Sequence, residues 1–264
     1  MSIDQPASRS QIEYTVNGRR YALLSDLHTH TVYSHGSGTV RDNVLAARGR
    51  GIRKIGISDH GPGHLGFGVQ RRKLAAQKAE ILALRKEFPD MEIYFSVEAN
   101  ILPDGKLDVK PEEFSYFDYV CAGWHYGAVG GLTPRGVAQT LGNFVRRTPE
   151  RAKPAQVARN TETVIAALEN NRIHFLTHPG DNAPVDLGQV AEACARTDTL
   201  VEINTGHRTL TPLDVRDMAR SKVRFLLSSD AHSPARVGDF FVGVQLLLEA
   251  GVDLARVVNL RVEG

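Results

Sequence analysis

Cysteine is scarce: only Cys121 and Cys194 occur in 264 residues. They lie far apart among apolar or small neighbours, which argues against a disulfide framework and reads as buried thiols in a reducing compartment. Charge of one sign is missing as well. The 32 Lys+Arg and 30 Asp+Glu residues leave a formal net charge of +2, so there is no electrostatic footprint for long nucleic acid or an anionic membrane surface. Small polar substrates stay open. Residues 1–20 hold Asp4, Arg9, Glu13, Arg19 and Arg20 and no continuous apolar stretch, which excludes a signal peptide or membrane anchor there. No internal repeat or low-complexity linker occurs. A cytoplasmic protein is expected, while its oligomeric state has no signature in the sequence.

A chain of this length can bury the core of one large domain. The expected organisation is an N-terminal tail at 1–20, ending in a short strand at Ile12 to Val16, followed by a single domain at 21–264. Short apolar segments alternate with helical patterns along that domain, the signature of β/α units on a parallel sheet or barrel. Strands are expected at Tyr21–Ser25, Lys54–Ser58, Glu92–Val97, Tyr116–Ala122, Phe175–Thr177, Leu200–Asn204 and Phe225–Ser229. Apolar residues at helical spacing mark Val69–Phe88 and Ala155–Asn170. Shorter helices fit Val40–Arg50, Leu187–Ala195, Pro212–Arg220 and Phe241–Ala250, with Gly51 and Gly251 as C-terminal stops. The stretch Gly127 to Lys153 reads as a long loop with a helix, covering a site.

The histidines are placed with unusual regularity. Of ten in the chain, seven sit at expected strand ends: His28, His30, His35, His60, His125, His178 and His232. Glu98 ends the third strand and Asp230 the seventh. In a parallel barrel all strand C-termini open on one face, so donors spread over 200 residues converge there. Neutral imidazole is the commonest metal ligand. Nine donors are too many for one tetrahedral ion, so two or three metals are implied. Glu98 is the only glutamate among them, and its two oxygens suit it to bridge two cations. Metals about 3.5 to 4 Å apart would polarise a shared water and clamp both oxygens of an in-line displacement at phosphorus. Imidazole with carboxylate suits zinc or manganese, with iron as a further choice, better than magnesium.

The runs DLHTHTVYSH at 26–35, SDHGP at 58–62, VEAN at 97–100, GWH at 123–125, THPG at 177–180 and SDAH at 229–232 resemble the motifs of the polymerase and histidinol phosphatase (PHP) superfamily. The resemblance spans roughly residues 21 to 240. It implies a distorted seven-stranded (β/α) TIM-like barrel, a trinuclear metal centre and phosphoesterase activity. Carried over by position, one metal takes His28, His30, Glu98 and Asp230; a second takes Glu98, His125 and His178; a third takes His35, His60 and His232. The spacing from His30 to His35 is a residue shorter than in some members.

The leading expectation is a metal-dependent phosphomonoesterase acting on a small phosphorylated metabolite, with Glu98 and Asp230 indispensable. SDHGP and VEANILPDG are similar to compact phosphatases of broad range, and EINTGHR at 202–208 to histidinol phosphatases. Nucleotide or nucleic-acid phosphodiester cleavage is one alternative. A metal-dependent amidohydrolase is a weaker one, because no lysine sits at an expected strand end. A catalytically silent metal-binding module is a third, opposed by the complete donor set. Arg208 is a candidate phosphate ligand, with Arg135 and Arg146 weaker ones. His207 is a candidate general acid, or else a solvent-facing histidine. Asp26 and Asp59 either hold an imidazole by its second nitrogen or serve turns. His64 and His174 read as ordinary, and Gly61, Gly63, Gly66 and Gly68 as a mobile loop beside the site.

Overall fold

The computed structural model describes residues 13–16, 18–127, 134–145 and 153–263. Seven strands, β3 (Ser25–Thr29), β4 (Lys54–Ile57), β5 (Glu92–Asn100), β6 (Tyr119–Gly123), β7 (Phe175–Leu176), β8 (Leu200–Asn204) and β9 (Phe225–Ser228), lie side by side in chain order. Every neighbouring pair is parallel. The order follows from the connections: a parallel neighbour needs a long crossover, and each strand but one is followed by at least one helix that supplies it. The helices are α1 (Val40–Gly49), α2 (Arg71–Glu87), α3 (Pro134–Val145), α4 (Pro154–Asn170), α5 (Leu187–Arg196), α6 (Pro212–Met218) and α7 (Phe241–Ala250). The exception is β4's partner β5, which is followed by a short 3-10 turn at Pro111–Tyr116 before β6.

Closure between β9 and β3 is sparse. The backbone supplies a bridge between Thr29 and Ala231, with the His30 amide donating to the Ala231 carbonyl at 2.9 Å and the Ala231 amide to the His28 carbonyl at 3.3 Å. Side chains do the rest. Asn259 donates to the carbonyls of Ser25 (2.7 Å) and Leu227 (2.6 Å) and accepts from the Leu227 amide (2.9 Å). Asp26 accepts from the Ser229 amide and hydroxyl and from the Gly238 amide. This is a distorted TIM-like barrel of seven strands.

Side chains two apart on a strand share a face, and the barrel interior uses this to grade from apolar to polar. Cys121, Phe175, Leu200 and Leu226 pack together at its lower end with Leu27 and Tyr119. One step higher come Gly123, Thr177, Glu202 and Ser228. Outside, a larger core fills the space between strands and helices, with Val44, Ile55, Ile81, Phe95, Val164, Val190, Val215 and Leu247 fully or almost fully buried.

One strand departs from the sequence expectation. The segment Tyr21–Ser25 is split between two sheets: β2 (Arg19–Leu23) pairs antiparallel with β1 (Glu13–Val16) and with β10 (Leu260–Glu263), and the barrel strand begins at Ser25. The apolar run Tyr21–Leu23 is buried against the barrel from outside, so hydrophobicity located the burial and misassigned the sheet. The remaining strands and helices agree to within a few residues, and the stops at Gly51 and Gly251 have φ of 73° and 72°. Of the expected loop at Gly127 to Lys153, α3 is described, while Arg146 lies outside the described residues, as do residues 1–12 of the expected tail. Among the described residues no helix is long and apolar enough to cross a membrane.

Candidate metal centre

The C-terminal ends of the strands gather the donors. β3 carries an extra residue relative to β4 between Asp26 and Thr29; such a bulge re-aims side chains. His28 and His30 then meet with their Nε2 atoms 3.1 Å apart. Glu98, near the end of β5, lies between two sets of imidazoles. Its Oε2 is 2.9 Å from His60 Nδ1, 3.3 Å from His28 Nε2 and 3.6 Å from His30 Nε2. Its Oε1 is 2.9 Å from His178 Nε2 and 3.2 Å from His125 Nε2. Asp230 Oδ1 stands 3.0 Å from His30 Nε2 and 3.6 Å from His28 Nε2.

Among the described residues, three groups that share members offer donor atoms within 4.8 Å of one another, namely His28, His30 and Glu98; His60, Glu98 and His125; and His30, His35, His60 and His232; and His178, His207 and Asp230 form a separate fourth. All nine donors expected from the sequence fall in these groups, and His207 joins them. His28, His30, Glu98 and Asp230 are buried, whereas His35 and His232 stand at the mouth. The backbone is strained where the site needs it. His178 (φ 26°) and Asp230 (φ 49°) both hold left-handed conformations that cost non-glycine residues energy and concentrate at functional sites.

Electrostatics explain why such a cluster calls for cations. Burial opposes charging His28, yet Asp230, Glu202 and Glu98 outweigh it and hold the imidazole well above its usual range. Burial is likewise overcome at His178, which Glu98, Asp230 and Glu202 raise to about 9. Burial and neighbouring imidazoles lower His30 far below its usual range, and bring His35 down to about 4. His60 also falls to about 4, burial outweighing the pull of Glu98. The carboxyls of Glu98 and Asp230 resist the effect of burial and stay well below the ordinary range, held there chiefly by His125 and His28 for the first and by His28 and His30 for the second. Several buried atoms nevertheless lack a hydrogen-bond partner among the described residues: at the centre Glu98 Oε2, Asp230 Oδ1 and His60 Nδ1, and behind it Nδ1 of His30, His125 and His178, whose Nε2 atoms are the ones that face the carboxylates. Leaving such atoms unpaired costs about 1 to 3 kcal/mol each. The carboxylate oxygens left unpaired at the centre, with imidazole nitrogens gathered around them, fit metal ions.

Support for the donors comes from residues behind them. The carboxylate of Glu202 accepts from His28 Nδ1 (2.6 Å), the His178 amide (2.7 Å), Asn204 Nδ2 (2.8 Å) and Ser228 Oγ (2.5 Å). It thus occupies the place behind an imidazole that the sequence offers to Asp26 and Asp59. Its signal was legible: two residues before Asn204 on a barrel strand, it had to point inward. Asp26 instead ties the seam, and Asp59 accepts from the Thr31 amide (2.7 Å), Thr31 Oγ1 (2.6 Å), Ser34 Oγ (2.5 Å) and Gln77 Nε2 (2.5 Å). That clamps the loop delivering His35. His207 bridges two carboxylates, with Nδ1 3.0 Å from Asp181 and Nε2 3.3 Å from Asp230. Arg208 is exposed next to it and makes no hydrogen bond or ion pair with the described residues. Arg135 lies in the first turn of α3.

The glycine loop at 61–68 is stitched rather than loose. Amides of Gly61, Gly63, Leu65 and Gly68 donate to Glu98 O, Asp108 Oδ2, Gly127 O and His64 O. A side chain at Gly61 would collide with the Asp108 carboxylate. His64, read as ordinary, stacks on His60 with ring centroids 5.0 Å apart. His174 lies at the opposite end of the barrel beside Tyr119.

Fold and site together define a barrel protein whose strand ends form a histidine and carboxylate centre suited to metal ions. The chain belongs to the PHP domain family, whose model matches residues 26–205. It is 27% identical over 252 residues to a probable phosphatase of Syntrophotalea carbinolica, covering 90% of this chain and 92% of that protein. It is also 27% identical over 249 residues to the DNA polymerase/3'-5' exonuclease PolX of Bacillus subtilis, covering 90% of this chain and 39% of that protein. Among solved structures it is similar to a histidinol phosphate phosphatase of Lactococcus lactis in complex with zinc, L-histidinol and phosphate. There the TM-score is 0.60 at 17% identity, over 87% of this chain and 94% of that one.

Proposed function

We propose that the chain is a metal-dependent phosphoesterase that hydrolyses a small phosphorylated metabolite as a phosphomonoesterase. The observation that carries this reading is the divided carboxylate of Glu98, with one oxygen turned to His28, His30 and His60 and the other to His125 and His178. Two to three divalent ions suit the donor set, zinc or manganese first and iron next. His28, His30, Glu98 and Asp230 would hold one, Glu98, His125 and His178 a second, and His35, His60 and His232 a third. Such ions, when bound, act as Lewis acids toward a phosphoryl oxygen and make water a nucleophile near neutral pH.

The protein's own residues do the rest. Glu202 fixes His28 from behind, so its Nε2 keeps one direction. Asp181 orients His207 at Nδ1, leaving Nε2 on the Asp230 side to give a proton to the departing oxygen. Arg208, exposed beside it, offers a planar fork that matches phosphate. Histidinol phosphate is one candidate substrate. Similarity to the bacterial exonuclease supports phosphodiester cleavage as a second reading, opposed by the near-neutral charge of the chain. Cys121 and Cys194 are free and buried, which suits a cytoplasmic location.

The test is metal content by plasma mass spectrometry on chelator-free protein, with phosphate release from an aryl phosphate measured on the same sample. Two to three equivalents with metal-dependent release are expected, and Glu98→Ala and Asp230→Ala should each abolish turnover. Near-normal turnover in both variants would refute the assignment.

A further inference from the structure

Helix α3 is turned inside out. The face it buries is polar: Gln139 and Asn143 join Gln156, Asn160 and Thr163 of α4 in an amide network with contacts of 2.7 to 3.3 Å. Its apolar side chains point outward instead. Phe144 is 62% exposed, and Val137, Leu141 and Val145 are exposed with it. Amphipathic helices ordinarily bury the opposite stripe.

That outward face adjoins the metal centre. Tyr126 follows His125 directly, packs edge-on against Phe144 with ring centroids 5.6 Å apart, and donates its hydroxyl to the Asn143 carbonyl at 3.2 Å. The next residue, Gly127, accepts from the Leu65 amide at 2.9 Å. Leu65 (66% exposed) and Phe67 (49% exposed) continue the apolar surface on the glycine loop. Phe67 rests against His35 and His64, at 4.7 and 5.4 Å between centroids. An apolar collar thus runs from Phe67 through Leu65 and Tyr126 to Phe144, along the His35 and His125 side of the centre. The His207 side is polar, with Asp181 and the exposed Arg208.

We propose that this collar receives the organic part of the substrate, so that the preferred substrates are phosphate monoesters of alcohols bearing an apolar, preferably aromatic group. The proposal rests on the phosphomonoesterase reading above. Exposed apolar surface continuous with a polar reaction centre is how ligand sites divide their labour: a few polar groups fix the reacting end, and apolar walls take up the remainder. Because Phe67 lies against His35, a candidate metal ligand, a group seated at that end of the collar lies beside the centre. An ester of this kind spans both.

The experiment compares kcat/KM for 3-phenylpropyl phosphate and propyl phosphate on metal-loaded protein. Both are esters of unactivated primary alcohols, so intrinsic reactivity is matched. The phenyl ester is expected to be favoured by about tenfold or more, the scale of an added apolar group in a partly exposed pocket. Phe67→Ala and Phe144→Ala should each lower that preference by roughly threefold, with metal content checked in each variant. A wild-type ratio near one, or a preference that survives both substitutions, overturns the proposal. Release from neither ester by metal-loaded protein overturns the phosphomonoesterase reading itself, and the proposal with it.

Discussion

Glu202 faces no opening, yet four donors converge on its carboxylate, two of them from residues that belong to the centre. Glu202→Gln keeps the shape but turns an NH2 group toward at least one donor. Metal affinity should drop by about 10- to 100-fold, read by competition with a chromogenic chelator; unchanged affinity would mean that Glu202 only fills space. Proton linkage makes a second expectation at this scale. In metal-free protein, His35 and His60 stay neutral down to about 4, while in the unfolded chain they take protons below about 6.5. Their contribution to stability is therefore lost as pH falls through that interval. The depressed carboxyls of Glu98 and Asp230 act in the same direction, since stability from a lowered carboxyl is present above its unfolded pKa and lost below. His178 acts oppositely: raised to about 9, it stabilises fully below about 6.5 and loses this as pH rises through its folded value. Melting temperatures of chelator-treated protein should decline on both sides, and a flat profile would contradict these assignments.

At the scale of elements, strand ends were the legible part of the site, because alternation and the common direction of parallel strands require no knowledge of loops. Residues whose roles depend on loop geometry were not legible. Asp59 looks like a partner for His60 from its position, but the loop at 31–34 curls back over it and takes its oxygens. The glycines at 61–68 suggest looseness, whereas Gly61 and Gly63 leave room for the Asp108 carboxylate and Gly68 for the backbone of Gly61 and His64. Asp108 is the test. It accepts from the Asn100 amide (2.8 Å), Asn100 Nδ2 (2.5 Å) and the Gly63 amide (2.9 Å). Burial pushes its carboxyl up, so removal of the charge brings some relief. Asp108→Asn must nonetheless set an NH2 against a donor, and a net loss of about 1 to 3 kcal/mol is expected in denaturant unfolding.

The whole molecule is a barrel with one weak join. Between β3 and β9 the backbone gives little, and Asn259, carried just ahead of β10, pairs with Ser25 and Leu227 in its place. Nothing local in the sequence announces this, since the partners lie 234 and 32 residues away. For the same reason β10 went unread: four residues alternating apolar and charged become a strand only because β2 waits beside them. Asn259→Ala leaves three buried backbone groups short of a partner and should cost several kcal/mol, about 1 to 3 for each group left unsatisfied, again measured by denaturant unfolding. The join also sets an order of assembly. His28 and His30 leave the ribosome some two hundred residues before Asp230 and His232, and the residue that locks the two edges together follows later still. Contacts so distant along the chain form slowly, so a nascent chain displays its first imidazoles long before the cage exists to select what they bind.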